Sequence, residues 1–428
     1  MDAEEERENK RVKLADDPSN RAMVQRDLHD LPLDMLLEIL SRLPIASLIH
    51  FKTTSHAGYD LIADPGLPLM FRNRVNDSNP CLILYNGNFV ASGPWQLYFV
   101  DSEGCSRRVR KIDPPHHSEV DNLVGSCNGL LCLLFKKKNG LLCLSLIDGS
   151  SASHSLLIYN PFVGDAVRVP PANPFPNQME VFGFGFHPRT GEFKVIRILW
   201  YEKILTFVDP ALDVEEVEEV DEGFAIVDKL MVQVFTVGTT EWREIEATPP
   251  QFKNVIGPPE ALVEGSLHWV RVVERGGVGL IFGIISFELA DEVFVEIPHP
   301  PCQRFVSWRY SLSVLNGCLS AAGLVDNLHF DIWVMKQYHV EESWVKQFSL
   351  DPYFAGGWPS YAKIFPEVIC ALKNGEILLQ YDDSSLVSFD PVENRFKTLQ
   401  MSGLPDEFQT LPFLPSLFSA KATMNSQV

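Results

Sequence analysis

The sequence predicts a mainly β chain, a closed β-propeller of about six four-stranded blades preceded by a small α module of three helices. Three observations predict it. Apolar residues recur at helical spacing from Asp27 to about residue 75, and the pattern then disappears. After residue 76, short runs of Val, Ile, Leu, Phe and Trp alternate with Gly, Asn, Asp and Pro, as strands and turns do. Two signals, a turn glycine and an aromatic strand, then interleave along the rest of the chain.

Composition bounds the function classes. The 428 residues are 46% hydrophobic and 11% aromatic, which supplies at least one large core and excludes disorder throughout. The formal net charge of −20 disfavours nucleic acid, because phosphate binding needs Lys and Arg to displace counterions. No apolar run approaches the roughly 20 residues that span a bilayer. The opening Met1-Asp2-Ala3-Glu4-Glu5-Glu6 is too acidic for a secretory signal. The expectation is a soluble intracellular protein, in the nucleus, the cytoplasm or both. Cys127, Cys132, Cys143, Cys302, Cys318 and Cys370 sit in strand-like surroundings without a CxxC or a Cys/His cluster, so they read as buried reduced thiols. No metal or other cofactor is expected.

Residues 1–26 are charged and aperiodic, and are expected to form a disordered tail. Within them Lys10, Arg11 and Lys13 are closely spaced cations, readable as a nuclear import signal or as plain solvated charge. The helical module covers 27–75. In its first helix Leu36, Ile39, Leu40 and Leu43 form a stripe that Leu33 and Leu37 widen. Pro32 suits the first turn, and Asp34 and Glu38 favour the positive N-terminal end. Pro44 stops this helix and opens a second with Ile45, Leu48, Ile49 and Phe51; a third carries Tyr59, Leu61 and Ile62. Three such helices lie near the lower size limit for a core of their own. Their apolar surface needs cover from the rest of this chain or from a partner's helices, and pattern alone leaves both open.

The run from Leu31 to Leu48, LPLDMLLEILSRLPIASL, resembles the F-box, whose consensus reads LPxDLLxEILSRLPxKSL. The resemblance implies binding to a Skp-type adaptor and, through it, to a cullin-RING ubiquitin ligase. The implied contact set is Leu31, Pro32, Leu36, Ile39, Leu40, Leu43, Pro44, Leu48 and Phe51. Gly58 stands where that family carries a Trp, with Tyr59 beside it as the substitute.

Over 76–412 the turn signal falls at Asn86-Gly87, Asn128-Gly129, Thr190-Gly191, Glu264-Gly265, Asn316-Gly317 and Asn374-Gly375. Each is flanked by apolar residues, which implies six hairpins with positive φ at the turn. The aromatic strand centres on Phe99, Tyr159, Phe235, Phe287, Trp333 and Phe389, at intervals of 60, 76, 52, 46 and 56 residues. One hairpin plus one aromatic strand pair makes a four-stranded unit, and the interval fits kelch-like propeller blades. The longest interval holds the acidic run Asp213–Asp221, read as a solvated loop near 209–222 or, functionally, as bait for a basic partner. Residues 413–428 are expected to be a tail. The count of blades is open by one, since a final strand can close the ring with sequence near Cys81.

This region also resembles the F-box-associated domain of plant F-box proteins. The likeness rests on Val124–Cys132, Tyr159-Asn160-Pro161, Phe182–Phe186 and Glu264–Trp269. It implies a kelch-like propeller that recruits a protein target for ubiquitination. Enzymatic signals are weak beside it. Gly183 and Gly185 form a GxG, but Pro188 occupies the third glycine position; GxSxG, HExxH and the sialidase repeat are missing. His116 and His117 follow a Pro pair with no third ligand, and His187 and His268 read as core or edge residues. Arg107, Arg108, Arg110, Lys111 and Lys136–Lys138 read as solvated edges or as a phosphate-recognition patch at one mouth. Two function readings follow: a non-catalytic substrate adaptor, or a stand-alone propeller enzyme or small-ligand receptor whose helices pack intramolecularly. No substrate-binding residue is assigned.

Overall fold

The structure is a computed structural model, which describes residues 31–43, 45–54, 56–62, 64, 66–75, 80–86, 96–100, 109–115, 120–136, 154–173, 178–205, 220–221, 224–246, 259–275, 279–301, 305–325, 329–350, 366–381 and 384–421. The chain divides into two compact units, Met1–Arg74 and Val75–Val428.

The first unit is helical: α1 (Leu33–Leu40), α2 (Ile45–Thr54), α3 (His56–Ile62) and α4 (Gly66–Val75). Pro32 caps α1 from an extended conformation, and its carbonyl accepts from Met35 N and Leu36 N. The fourth helix corrects the expected three. Asp64 starts it by accepting the Gly66 N–H at 2.8 Å. Pro68 lies in its first turn, where a missing N–H removes no helical bond.

The second unit is a ring of six antiparallel sheets. Blade 1 holds β1 (Cys81–Tyr85), β2 (Leu97–Val100) and β3 (Val109–Ile112). Blade 2 is β4 (Val120–Cys127), β5 (Leu130–Lys136), β6 (His154–Asn160) and β7 (Asp165–Arg168). Blade 3 is β8 (Gln178–His187), β9 (Glu192–Leu205), β11 (Phe224–Thr236) and β12 (Arg243–Ile245), with β10 (Val220–Asp221) added on the outer edge of β11. Blade 4 is β13 (Ala261–Val263), β14 (Ser266–Arg275), β15 (Gly279–Glu288) and β16 (Val293–Ile297). Blade 5 is β17 (Phe305–Leu315), β18 (Cys318–Val325), β19 (His329–Met335) and β20 (Trp344–Leu350). Blade 6 is β21 (Glu367–Ala371), β22 (Ile377–Tyr381), β23 (Ser385–Asp390) and β24 (Arg395–Thr398). The last strand, β25 (Gln409–Phe413), pairs with β1 from Cys81↔Phe413 to Tyr85↔Gln409 and completes blade 1.

The first strand of each sheet is innermost. Around the ring β25 meets β4, β4 meets β8, β8 meets blade 4 through β14, and β13, β17, β21 and β25 follow in turn. The strands read as apolar runs because both faces are buried between blades. Leu131 and Leu133 pack toward blade 1, whereas Leu130 and Cys132 pack toward blade 3. Six apolar clusters result, one for each contact between neighbouring blades. Cys127, Cys132 and Cys370 are buried free thiols in these clusters, and burial pushes the Cys370 thiol up to about 12.

Two expectations need correction. Residues 413–421 are not a tail: Phe413 belongs to β25, and Ser416, Leu417 and Ala420 are buried. The acidic segment near 209–222 is not a loop throughout, since Val220 and Asp221 pair with Ala225 and Phe224. Residues 209–219 lie outside the described residues.

Candidate partner-binding surfaces

The helical unit sorts its apolar residues into two sets. Leu37, Leu40, Leu48, Ile62, Leu67 and Phe71 are buried. Among the described residues of this unit, Leu33, Met35, Ile39, Leu43 and Tyr59 are the exposed large apolar side chains, between 37% and 53% accessible. Met35 and Ile39 are four residues apart on α1 and so share one face. An exposed Arg42–Glu38 pair at 2.7 Å sits one turn on.

Of the nine residues nominated from sequence, Ile39, Leu43 and Pro32 are exposed and Leu31, Leu36 and Phe51 are half-buried. Leu40 and Leu48 lie inside, and Pro44 falls outside the described residues. Sequence reasoning left Met35 and Tyr59 out, although their apolar character at accessible helix positions was visible. Gly58 is buried and α3 forms across it. Tyr59 beside it is exposed, with Lys52 Nζ 5.4 Å above its ring centroid. Lys10, Arg11 and Lys13 lie outside the described residues.

The propeller offers two ends of different character. Because neighbouring strands run antiparallel, first-to-second and third-to-fourth strand turns share one end. Those turns are short, such as 128–129, 264–265 and 316–317 between inner strands and 161–164, 289–292 and 391–394 between outer ones. The connections at the opposite end include 137–153, 206–219, 246–260 and 351–366. Variable recognition in a rigid scaffold resides in such connections.

The turn end is a locked surface. His187 Nδ1 accepts from Arg189 N and Thr190 N, which leaves its Nε2–H to meet Glu288 Oε1 at 2.9 Å in the next blade. Lys194, only 4% exposed, donates to the Leu289 carbonyl at 2.6 Å and to Glu292 at 2.9 Å. Arg243 grips Glu292 with two hydrogen bonds. Against the cost of its own burial, Arg243 and Lys194 hold the Glu292 carboxyl below its usual range. His268 is fully buried, with Nε2 2.8 Å from Tyr338 Oη of blade 5, and burial lowers it to about 4. Both histidines, read from sequence as core or edge residues, therefore tie neighbouring blades together.

At the other end, a groove of about 380 Å³ is lined by Arg271, Gly283, Glu296, Pro298 and His299. Arg271 crosses Gly283, where a Cβ would lie 2.6 Å from its Nε, to reach Glu296 at 2.6 Å. The paired charges leave this groove nearly neutral. Glu260, ahead of inner strand β13, accepts from Leu312 N at 2.6 Å. Surrounding protein, with Glu367 nearby, raises its carboxyl to about 7 against the opposing Leu312 hydrogen bond. Among the described residues no group of three His, Cys, Asp or Glu is placed to hold a metal ion.

Comparison with known proteins adds to this geometry. Residues 28–68 match the F-box domain, and residues 89–425 match the F-box associated beta propeller domain. F-box protein At3g07870 of Arabidopsis thaliana is 32% identical over 430 residues, covering 95% of this chain and 95% of that one. F-box protein CPR1 of the same plant is 24% identical, covering 92% and 91%. F-box/kelch-repeat protein At3g23880, also from Arabidopsis thaliana, is 23% identical over 75% of this chain and 80% of its own.

Proposed function

This chain belongs to the F-box proteins that carry an F-box associated β-propeller domain, and we propose that it is a substrate adaptor of an SCF-type ubiquitin ligase. The observation that carries the reading is the exposed apolar set Leu33, Met35, Ile39, Leu43 and Tyr59 on a helical unit separate from the propeller. These side chains are already about half covered, so burying the remainder gains roughly 1 kcal/mol each. A helical Skp-type partner would supply the cover, with Leu31, Pro32, Leu36 and Phe51 at its margin. Leu40 and Leu48 then act by holding the helices in place.

The propeller presents a protein target beside the ligase, and its role is non-catalytic. Raised effective concentration, rather than a reacting group, accelerates ubiquitin transfer in this reading. The end with the long connections supports target recognition, since the opposite end is occupied by interblade ties.

Reconstitution tests the reading. Full chain, a plant Skp-type adaptor and a cullin are mixed and resolved by gel filtration. The chain is expected to co-elute with cullin only when the adaptor is present. A folded chain that elutes apart from both would overturn the proposal.

A further inference from the structure

The ring is closed by β25, which is joined to β1 by a five-residue ladder. The chain continues past that ladder. Ser416 Oγ donates to the Asn128 carbonyl at the inner turn of blade 2. Asn160, at the outer turn of the same blade, donates through Nδ2 to the carbonyls of Ser416 at 3.0 Å and Phe418 at 2.6 Å. Asp165 then accepts from Ser419 Oγ and, at 3.3 Å each, from Ala420 N and Lys421 N. The segment therefore crosses the turn end of blade 2 radially, from the inner turn to the outer one. Apolar contacts follow the polar ones: Ala420 is fully buried in the cluster between blades 2 and 3, and the Phe418 ring stands edge-on to Phe193 at 6.3 Å.

We propose that residues 414–421 form a separable latch, a peptide segment bound in cis by blade 2 that locks the ring β25 closes. The mode of contact supports the claim. One side chain reads two carbonyls and another reads two N–H groups, which is how a folded domain holds a peptide's main chain. The latch does not depend on the proposed function.

A chain ending at Phe413 tests it against the full chain and against one ending at Lys421. The latch predicts that the Phe413 truncation keeps its β spectrum but melts at least about 5 °C lower, while the Lys421 truncation melts with the full chain. A synthetic peptide of residues 414–421 is expected to bind the Phe413 truncation, raise its melting temperature, and bind about tenfold more weakly when Asn160→Ala is present. Equal melting of all three chains, or no binding of the peptide to a folded truncation, would overturn the latch. If the truncation does not fold, the full-length Asn160→Ala, Asp165→Ala double variant decides: lower melting with an unchanged spectrum supports the latch, and unchanged melting refutes it.

Discussion

The amide of Asn160 donates to the main-chain carbonyl of Ser416 at 3.0 Å, across 256 residues of sequence. Its Oδ1 meanwhile accepts from Phe162 N at 2.8 Å and Val163 N at 3.1 Å. All four hydrogen-bonding capacities of this buried side chain are thus used. Asn160→Asp keeps the turn but turns donors into acceptors that face two carbonyls, and should cost about 3 kcal/mol at neutral pH. Such a carboxyl is raised in the folded state, so its stability is kept at low pH and lost as pH rises. Urea unfolding should show the variant closer to wild type at pH 5 than at pH 8.

Gly129 and Gly317 share a left-handed φ of +76° but not their surroundings. A Cβ on Gly129 would lie 2.4 Å from Ser416 Oγ and 2.5 Å from Ser416 N, whereas Gly317 has nothing within 4 Å. Gly317→Ala should cost about 1 kcal/mol from backbone strain alone. Gly129→Ala should cost at least about twice that, because backbone must move. Equal losses in denaturant melts would place the C-terminal segment elsewhere.

These two positions show what the sequence discloses. All six aromatic centres, from Phe99 to Phe389, fall on the third strand of a blade, counting β25 as the first of blade 1. Five of the six turn glycines fall between first and second strands. Asn86 instead follows β1, the second strand of its blade, because the first comes from the far end of the chain. That closure left no local period to read, and neither did the latch, whose contacts are long-range and mostly to main chain. The surface set of the helical unit was partly legible: spacing marks a stripe, but which of its members face inward depends on how α1, α2 and α3 pack.

Arg197 forms a buried network inside blade 3. It donates to Glu180 at 2.7 Å, Gln233 at 2.9 Å and the Asn173 carbonyl at 3.0 Å, and is 3% exposed. Arg197→Met alone should cost about 3–5 kcal/mol, since it strands a buried carboxylate. Adding Glu180→Leu should recover much of that loss, a coupling that a double-mutant cycle reads directly.

His268 predicts an acid-sensitive step. Burial lowers it from 6.5 to about 4, so the unfolded chain takes up its proton first as pH falls. The stability of the neutral form is complete above 6.5, declines down to about 4, and totals about 3 kcal/mol by linkage. Wild type should lose stability over this window more steeply than His268→Gln. Parallel curves for the two would show that His268 does not carry the effect.

The adaptor reading turns on the face of α1. Calorimetric titration of the full chain with a plant Skp-type adaptor should give one-to-one binding, weakened at least about a hundredfold by Met35→Glu with Ile39→Glu, both on the exposed face. Circular dichroism of the double variant should match wild type. A wild-type chain that is folded and does not bind, or a double variant that binds as tightly, would contradict the account.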